Sequence, residues 1–146
     1  MISPNVETFI GCDSSYRAAD IVLYGAPFDS TTSYRPGARF GPSAIRHESF
    51  GLETYSPYQN ADLTDFDIFD SGDLELCFGS SESALADIQS RAAEILHDGK
   101  FPLLHRVKPD RLCVFYGSMQ RYGTSSIYGS RLELMRKFCV FCTLTG

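Results

Sequence analysis

The sequence predicts an α/β fold in which parallel strands form a sheet and helices pack against it. Two short apolar runs, residues 19–25 and 101–104, are typical of buried strands. Between them, residues 81–97 have the spacing of a helix with one apolar stripe. Because strands and helices alternate along the chain, the crossovers should make the sheet parallel, with ligands beyond the carboxyl ends of its strands.

The first half of the chain predicts a strand, a loop, a short helix and a second strand. Residues 19–25 are followed by a stretch rich in Gly and Pro. Pro42 suits the first position of a helix that runs to about residue 50, because the N–H that proline lacks has no helical partner there. Residues 67–70 predict a short, acidic strand, and residues 71–73 predict a turn after it.

A long helix precedes the third strand. Ser80 or Ser81 can cap its N-terminus, and Gly99 is placed to end it. His97 lies in its last turn, where the helix dipole favours a positive charge. The residues expected to face the core are Leu85, Ile88, Ala92, Ile95 and Leu96.

The composition is that of one soluble domain. The chain has 146 residues, of which 43% are hydrophobic and 21% charged, with 11 Phe and 8 Tyr. These values argue against intrinsic disorder, and no apolar run approaches the length of a membrane span. The N-terminus lacks the features of a secretory signal, and five cysteines do not form a small-domain disulfide framework. The sequence therefore predicts a cytoplasmic protein without a membrane partner.

The balance of charge changes sign near residue 104. Residues 1–104 contain 6 Lys and Arg against 16 Asp and Glu, whereas residues 105–146 contain 7 against 2. Three of the five cysteines lie in residues 105–146, and the hydrophobic periodicity ends there. We expect residues 1–104 to form a partial α/β domain, and residues 105–146 to be an irregular tail that is out of frame or otherwise unrelated to it.

Several ordered motifs resemble the N-terminal part of the ureohydrolases, the family of arginase and agmatinase. The resemblance covers about residues 17–104 and is nearest to bacterial agmatinases. Its motifs are Gly-Ala-Pro-Phe-Asp at 25–29, Arg-Pro-Gly-Ala-Arg-Phe-Gly-Pro at 35–42 with Ala-Ile-Arg at 44–46, Leu-Glu-Thr-Tyr-Ser-Pro at 52–57, Asp-Ser-Gly-Asp-Leu at 70–74 and Gly-Lys-Phe-Pro-Leu-Leu at 99–104.

The resemblance implies a three-layer α/β/α fold and hydrolysis of a guanidinium group to urea and an amine. In agmatinases the substrate is agmatine and the amine is putrescine, with arginine or another guanidino compound as the alternative substrate. Two manganese ions share a hydroxide that attacks the guanidinium carbon. The full-length family also implies a homo-oligomer.

This chain departs from the family after Leu104. The family continues this strand into a Gly-Gly-Glu-His motif, whereas here residues 105–110 read His-Arg-Val-Lys-Pro-Asp. The later Asp-x-His-x-Asp and Asp-x-Asp motifs are absent from the sequence. We therefore assign no catalytic or metal-ligand residue, and expect that this chain binds no manganese and is inactive alone.

The alternative is a non-enzymatic product, either an inert remnant or an interaction module that uses its basic, cysteine-bearing tail. The charges of that tail follow no helical stripe and no nucleic-acid-binding motif is present, which argues against nucleic acid as a partner. The incomplete sheet should leave an apolar face and an open edge, so we expect the purified protein to be poorly soluble or partly molten.

One loop is expected to border the family's catalytic cleft or a subunit contact without providing metal ligands. Two glycines and two prolines in eight residues predict a rigid loop beyond the carboxyl end of the first strand. Its residues are Arg35, Pro36, Gly37, Ala38, Arg39, Phe40, Gly41 and Pro42.

Other candidate residues are interpreted as structural. The acidic residues with no His or Cys partners are Asp62, Asp65, Asp67, Asp70, Asp73 and Glu75. A solvated loop and turn, in which Asp70 and Asp73 form hydrogen bonds with nearby amides, is therefore favoured over a cation site. His47 is expected at the surface or half-buried. A lone His105 cannot hold two metal ions. The Cys139-x-x-Cys142 pair suggests half of a zinc site or a redox pair, but it is interpreted as accidental. Two further zinc ligands are not evident, and a redox pair normally begins a helix, whereas the residues between these cysteines are typical of a strand.

Overall fold

The computed structural model describes residues 7–29, 37–58 and 60–105. In chain order these residues form β1, α1, the short strands β2 and β3, then β4, α2 and β5. Their bounds are Ile21–Gly25 for β1, Gly41–Ser49 for α1, Tyr55–Ser56 for β2, Ala61–Asp62 for β3, Ile68–Asp73 for β4, Ser81–His97 for α2 and Phe101–His105 for β5.

The main sheet has three parallel strands in the order β4-β1-β5. The central β1 pairs with both neighbours, so Ile21 lies beside Ile68 on one side and beside Phe101 on the other. This arrangement confirms the predicted parallel sheet. The separate β2–β3 hairpin is antiparallel, with Tyr55 opposite Asp62.

Both faces of the sheet are covered in the part of the chain that the structure describes. All five residues of β1 are buried. Val22, Tyr24 and Phe69 pack with Ile88 and Ile95 of α2 on one face. On the opposite face Ile21, Leu23, Ile68 and Phe101 pack with Phe9, Cys12 and Leu63. The expected exposed apolar face is therefore not found at β1, whereas Leu103 and Leu104 of β5 are half-buried.

The long helix α2 begins and ends where the sequence predicts. The Ser80 hydroxyl accepts a hydrogen bond from the Ser83 amide at 3.2 Å, and Gly99 adopts a φ of 74° just beyond the helix. The residues buried in the core are Ala84, Ile88, Ala92 and Ile95. Leu85 and Leu96, which were expected in the core, are half-buried at the sides of the stripe.

The expected turn at residues 71–73 was wrong, because these residues continue β4. The register shifts between Leu23 and Gly25, so that Leu23 lies beside Asp70 whereas Gly25 lies beside Asp73. An extra residue on β4 is accommodated by Gly72, which has a φ of 77°. The Ser71 hydroxyl donates to the Leu23 carbonyl at 3.0 Å and holds the irregular segment on β1.

The segment that precedes β1 pairs with the beginning of β4 on its outer side. Asp13 forms an antiparallel bridge with Phe69, and the Ser14 amide donates to the Ile68 carbonyl at 3.2 Å. Among residues 7–29, 37–58 and 60–105, no helix is long and apolar enough to cross a bilayer.

Candidate functional site at the carboxyl edge of the sheet

The three main strands end together and bring a polar cluster to one edge. Gly25 lies beside Asp73 of β4 on one side and beside His105 of β5 on the other. Arg46 reaches this edge from α1. In parallel α/β sheets this edge is where ligands bind, so it is the candidate functional site.

Arg46 joins α1 to β4 through two carboxylates. Its Nε donates to Asp70 Oδ2 at 2.7 Å and its second terminal nitrogen to Asp70 Oδ1 at 3.0 Å. The remaining terminal nitrogen donates to Asp73 Oδ1. The Arg46 side chain is only 2% exposed and that of Asp70 is fully buried, whereas that of Asp73 is 30% exposed. Burial alone would lower the pKa of Arg46, but the hydrogen bonds and charges of these carboxylates raise it above its ordinary value.

The Asp70 carboxylate is fully engaged by donors of the protein itself. Besides both contacts with Arg46, Oδ2 accepts the Phe9 amide at 2.9 Å and Oδ1 accepts the Gly72 amide at 2.9 Å. The expected hydrogen bond between Asp70 and a nearby amide is confirmed by the Gly72 contact. The expected solvated position was wrong, because the Asp70 side chain is fully buried and needs these donors to offset its lost hydration. Asp70 is a structural anchor that fixes α1 and the N-terminal segment on the sheet.

Gly25 allows the strand ends to approach each other. A Cβ at this position would lie 2.0 Å from Asp73 Oδ1 and 2.8 Å from the Pro42 Cβ. Neither distance is compatible with a side chain, so only glycine lets the Asp73 carboxylate and the start of α1 pack against β1.

His105 is a buried imidazole at the same edge. The residue is 6% exposed, and neither ring nitrogen has a hydrogen-bond partner within the described residues. Its ring meets Phe9 edge-on, with centroids 5.7 Å apart. Burial, assisted by the positive charge of Arg46, lowers the pKa of His105 to about 4, and the charges of Asp70 and Asp73 oppose this shift. The imidazole is therefore neutral at pH 7, and at this residue the folded chain resists the proton that the unfolded chain takes up between about pH 6.5 and pH 4.

The loop predicted at residues 35–42 lies beside this edge where the structure describes it. Arg35 and Pro36 are outside the described residues. The Gly37 amide donates to Asp29 Oδ2 at 2.9 Å, and Arg39 Nε lies 3.7 Å from the same oxygen. Ala38–Phe40 form a short 3-10 turn that leads into Gly41 and Pro42 of α1. The base of the loop is therefore held by one nearly buried carboxylate.

The described residues do not fit a two-manganese centre. No group of three or more His, Cys, Asp or Glu side chains within residues 7–29, 37–58 and 60–105 could hold a metal ion. The oxygens of Asp70 are occupied by protein donors, and His105 faces Phe9. The side chains of His47 and His97 are 78% and 91% exposed, and neither belongs to a group of described side chains that could hold a metal ion. Cys139, Cys142 and the basic residues 106–146 lie outside the described residues.

Sequence reasoning missed Arg46 as the centre of this cluster. The available signal was a single cation on a short helix, followed by an acidic strand with Asp70 and Asp73. Such a pattern does not show which acidic residue of a group is buried. The packing of α1 on the sheet decides that.

The fold is that of an α/β protein. The carboxyl edge of its parallel sheet and the glycine-rich loop lie on either side of a candidate ligand site. The family model described as the arginase family matches residues 19–105, which is more than half of the chain. The chain therefore belongs to the arginase family.

The proteins to which the chain is similar include agmatinases and a formiminoglutamase. The chain is 50% identical over 97 residues to the agmatinase of Bacillus subtilis, covering 66% of this chain and 33% of that protein. The structure of the agmatine ureohydrolase of Thermoplasma volcanium matches with a TM-score of 0.63 and 30% identity, over 68% of this chain and 34% of that one. A manganese-containing formiminoglutamase of Trypanosoma cruzi matches with a TM-score of 0.61 and 25% identity, over 78% and 41% of the two chains.

The match covers only part of each relative. The chain spans about a third of the length of the curated agmatinases that it matches. What those proteins do as wholes is therefore considered below as a proposal for this one.

Proposed function

We propose that residues 7–105 form the N-terminal part of a ureohydrolase scaffold whose complete form hydrolyses agmatine to putrescine and urea. The observation that carries this proposal is the 50% identity to the Bacillus subtilis agmatinase. The structural similarity to the agmatine ureohydrolase of Thermoplasma volcanium supports the same guanidino substrate. Arginine and other guanidino compounds are the runner-up substrates, and a cytoplasmic homo-oligomer is the proposed form of the complete protein.

We further propose that the 146-residue chain alone does not hydrolyse agmatine. The described polar groups at the carboxyl edge make contacts within the fold. Arg46 donates two hydrogen bonds to Asp70, and His105 is buried against Phe9. A hydrolase for a cationic guanidinium needs exposed acceptors and an activated water. In the described part of this edge, Asp73 offers a partly exposed carboxylate, but Arg46 already contacts it.

The family model matches the chain as far as His105, one residue beyond the expected boundary, and residues 106–146 are proposed to lie outside the family sequence. The Gly-Gly-Glu-His motif expected after Leu104 is absent from the chain. Translation of the gene beyond codon 104 in all three reading frames tests whether a frame change explains this. The motif and the later aspartate motifs should appear in one alternative frame, and their absence from all three would contradict a frameshift.

The catalytic proposal is tested by urea release from agmatine in the presence of MnCl₂. The purified 146-residue chain should release no urea above the rate without enzyme, and elemental analysis should find no stoichiometric manganese. The Bacillus subtilis agmatinase assayed in parallel provides the positive control. Urea release by this chain, with about one or two bound manganese ions, would contradict the proposed inactivity. Urea release from arginine but not from agmatine would identify arginine as the substrate instead.

A second candidate function is an interaction module that uses the basic residues of 105–146. The observation that favours it is the excess of 7 Lys and Arg over 2 Asp and Glu in this region. Binding to nucleic acid would be electrostatic and would weaken steeply with salt. Retention on immobilised single-stranded RNA at about 50 mM NaCl and release at about 200 mM would support this function, and failure to bind at either concentration would exclude it.

A further inference from the structure

His105 is a buried base without a hydrogen-bond partner at the carboxyl edge of the sheet. The residue is 6% exposed, and neither Nδ1 nor Nε2 is hydrogen-bonded within the described residues. Buried polar side chains are almost always paired, because an unpaired one has lost its hydration without a replacement. The cost is largest for a protonated ring, which would be a buried cation with two unsatisfied N–H donors.

The surroundings of the ring disfavour a positive charge on balance. Burial is the largest cause that lowers the pKa of His105 to about 4, and the positive charge of Arg46 on α1 adds to it. Phe9 meets the ring edge-on and brings no charge. Asp70 and Asp73 of β4 favour the charged ring, but both carboxylates already accept hydrogen bonds from Arg46. A proton on His105 therefore has no free acceptor among these neighbours.

The two ends of β5 are held differently. At the amino end, the Phe101 amide donates to the Asp20 carbonyl at 2.8 Å, and Phe101 is 3% exposed. At the carboxyl end, the Ala26 amide donates to the His105 carbonyl at 3.2 Å, and the preceding Leu104 is only half-buried. Opening the carboxyl end alone therefore breaks fewer contacts than opening the whole strand.

We propose that protonation of His105 releases the carboxyl end of β5 from β1, as an acid-sensitive conformational switch at the candidate functional site. In the closed form the ring is neutral and lies against Phe9. In the open form the ring is in water and has its ordinary pKa of 6.5. Because the open form binds the proton more readily, each fall in pH shifts the equilibrium toward it. Acidification thus loosens the strand end that borders the polar cluster of Arg46 and Asp73.

Hydrogen exchange of two backbone amides in the 146-residue chain, followed by NMR, tests the switch. The Ala26 amide reports on the carboxyl end of β5 and the Phe101 amide on the amino end. After correction for intrinsic exchange rates, the protection factor of Ala26 should fall about sevenfold between pH 6 and pH 5, a range above the titration of most carboxylates. An unchanged protection factor of Ala26 would overturn the proposal.

The urea dependence of exchange distinguishes a local opening from global unfolding. A local opening exposes little surface, so the protection of Ala26 should stay constant between 0 and about 1 M urea. Phe101 should be at least about tenfold better protected and should lose protection as urea is added. Equal protection of the two amides with the same urea dependence would overturn the proposal, because His105 would then take up its proton only when the whole domain unfolds.

Two histidine substitutions assign the response to the buried ring. His105→Leu removes the titrating group and keeps an apolar side chain, so the protection of Ala26 should be the same at pH 6 and pH 5. His97→Leu is the matched control, because the His97 side chain is 91% exposed, and it should retain the sevenfold fall. A fall that persists in His105→Leu would overturn the proposal. The comparison of Ala26 with Phe101 requires no substitution, so it decides the question even if His105→Leu does not fold.

Discussion

Replacing Asp70 by asparagine tests whether the buried ion pair with Arg46 holds the domain together. The substitution keeps the shape of the side chain and removes its charge, so Arg46 remains buried with Asp73 as its one charged contact among the described residues. Two unit charges about 4 Å apart attract by about 4 kcal/mol at an effective dielectric constant near 20. Breaking a buried pair costs about 3–5 kcal/mol in measured cases. We therefore expect Asp70→Asn to lower the free energy of unfolding by about 3–5 kcal/mol.

The assay is urea-induced unfolding followed by far-ultraviolet circular dichroism, with Asp73→Asn as the matched control. Asp73 contacts the same guanidinium, but its side chain is 30% exposed, so water screens the interaction. The control should lose only about 1 kcal/mol. A loss for Asp70→Asn no greater than for Asp73→Asn would refute the assignment of Asp70 as the anchor.

A double-mutant cycle separates the ion pair from the other contacts of Asp70. Arg46→Met leaves the Asp70 carboxylate buried with two backbone donors, and Arg46→Met combined with Asp70→Asn removes both charges. The double variant should be more stable than the sum of the single losses predicts, by about 1–3 kcal/mol. Strictly additive losses would show that the two residues act independently.

Three further predictions concern single positions. Between about pH 7 and pH 5, the free energy of unfolding should fall, because the unfolded chain takes up a proton at His105 that the buried imidazole resists. The loss from this residue should approach about 3 kcal/mol near the pKa of about 4 that His105 has in the folded chain. In urea titrations His105→Leu should flatten this pH dependence, and an unchanged slope would contradict it. Gly25→Ala should cost at least about 2 kcal/mol, because its Cβ would overlap Asp73, and a melting temperature equal to wild type would argue against that contact. Ser80→Ala should cost about 1 kcal/mol in thermal unfolding and the neighbouring Ser81→Ala much less, whereas equal effects would count against Ser80 as the cap.

Local rules were sufficient for most of the secondary structure. The run 19–25 contains β1, because a continuous apolar segment closed by glycine suits the centre of a parallel sheet. Helix α2 follows from its serine cap, its apolar spacing and Gly99, all of which are encoded within a few residues. The ordered motifs also indicate the family on their own, and the family model confirms it.

The turn expected at residues 71–73 shows where local rules failed. A Ser-Gly-Asp sequence favours a turn in isolation, but here β1 offers hydrogen-bond partners along its length. Pairing with β1 keeps the segment extended, and Gly72 absorbs the extra residue. Tertiary context decided the outcome against the local preference.

Periodicity and motifs of neighbouring residues are enough to predict the chain order of the three main strands and the two helices, the parallel sheet and the family, but not the β2–β3 hairpin. Long-range packing sets which acidic residue is buried and hydrogen-bonded to Arg46, and it places His105 beside Phe9 without a hydrogen-bond partner in the described part of the chain. The bridge between Asp13 and the outer side of β4 at Phe69 is likewise a property of the folded chain. These properties depend on contacts between residues tens of positions apart, and the free energy of such contacts comes from burial and packing that a linear pattern does not contain.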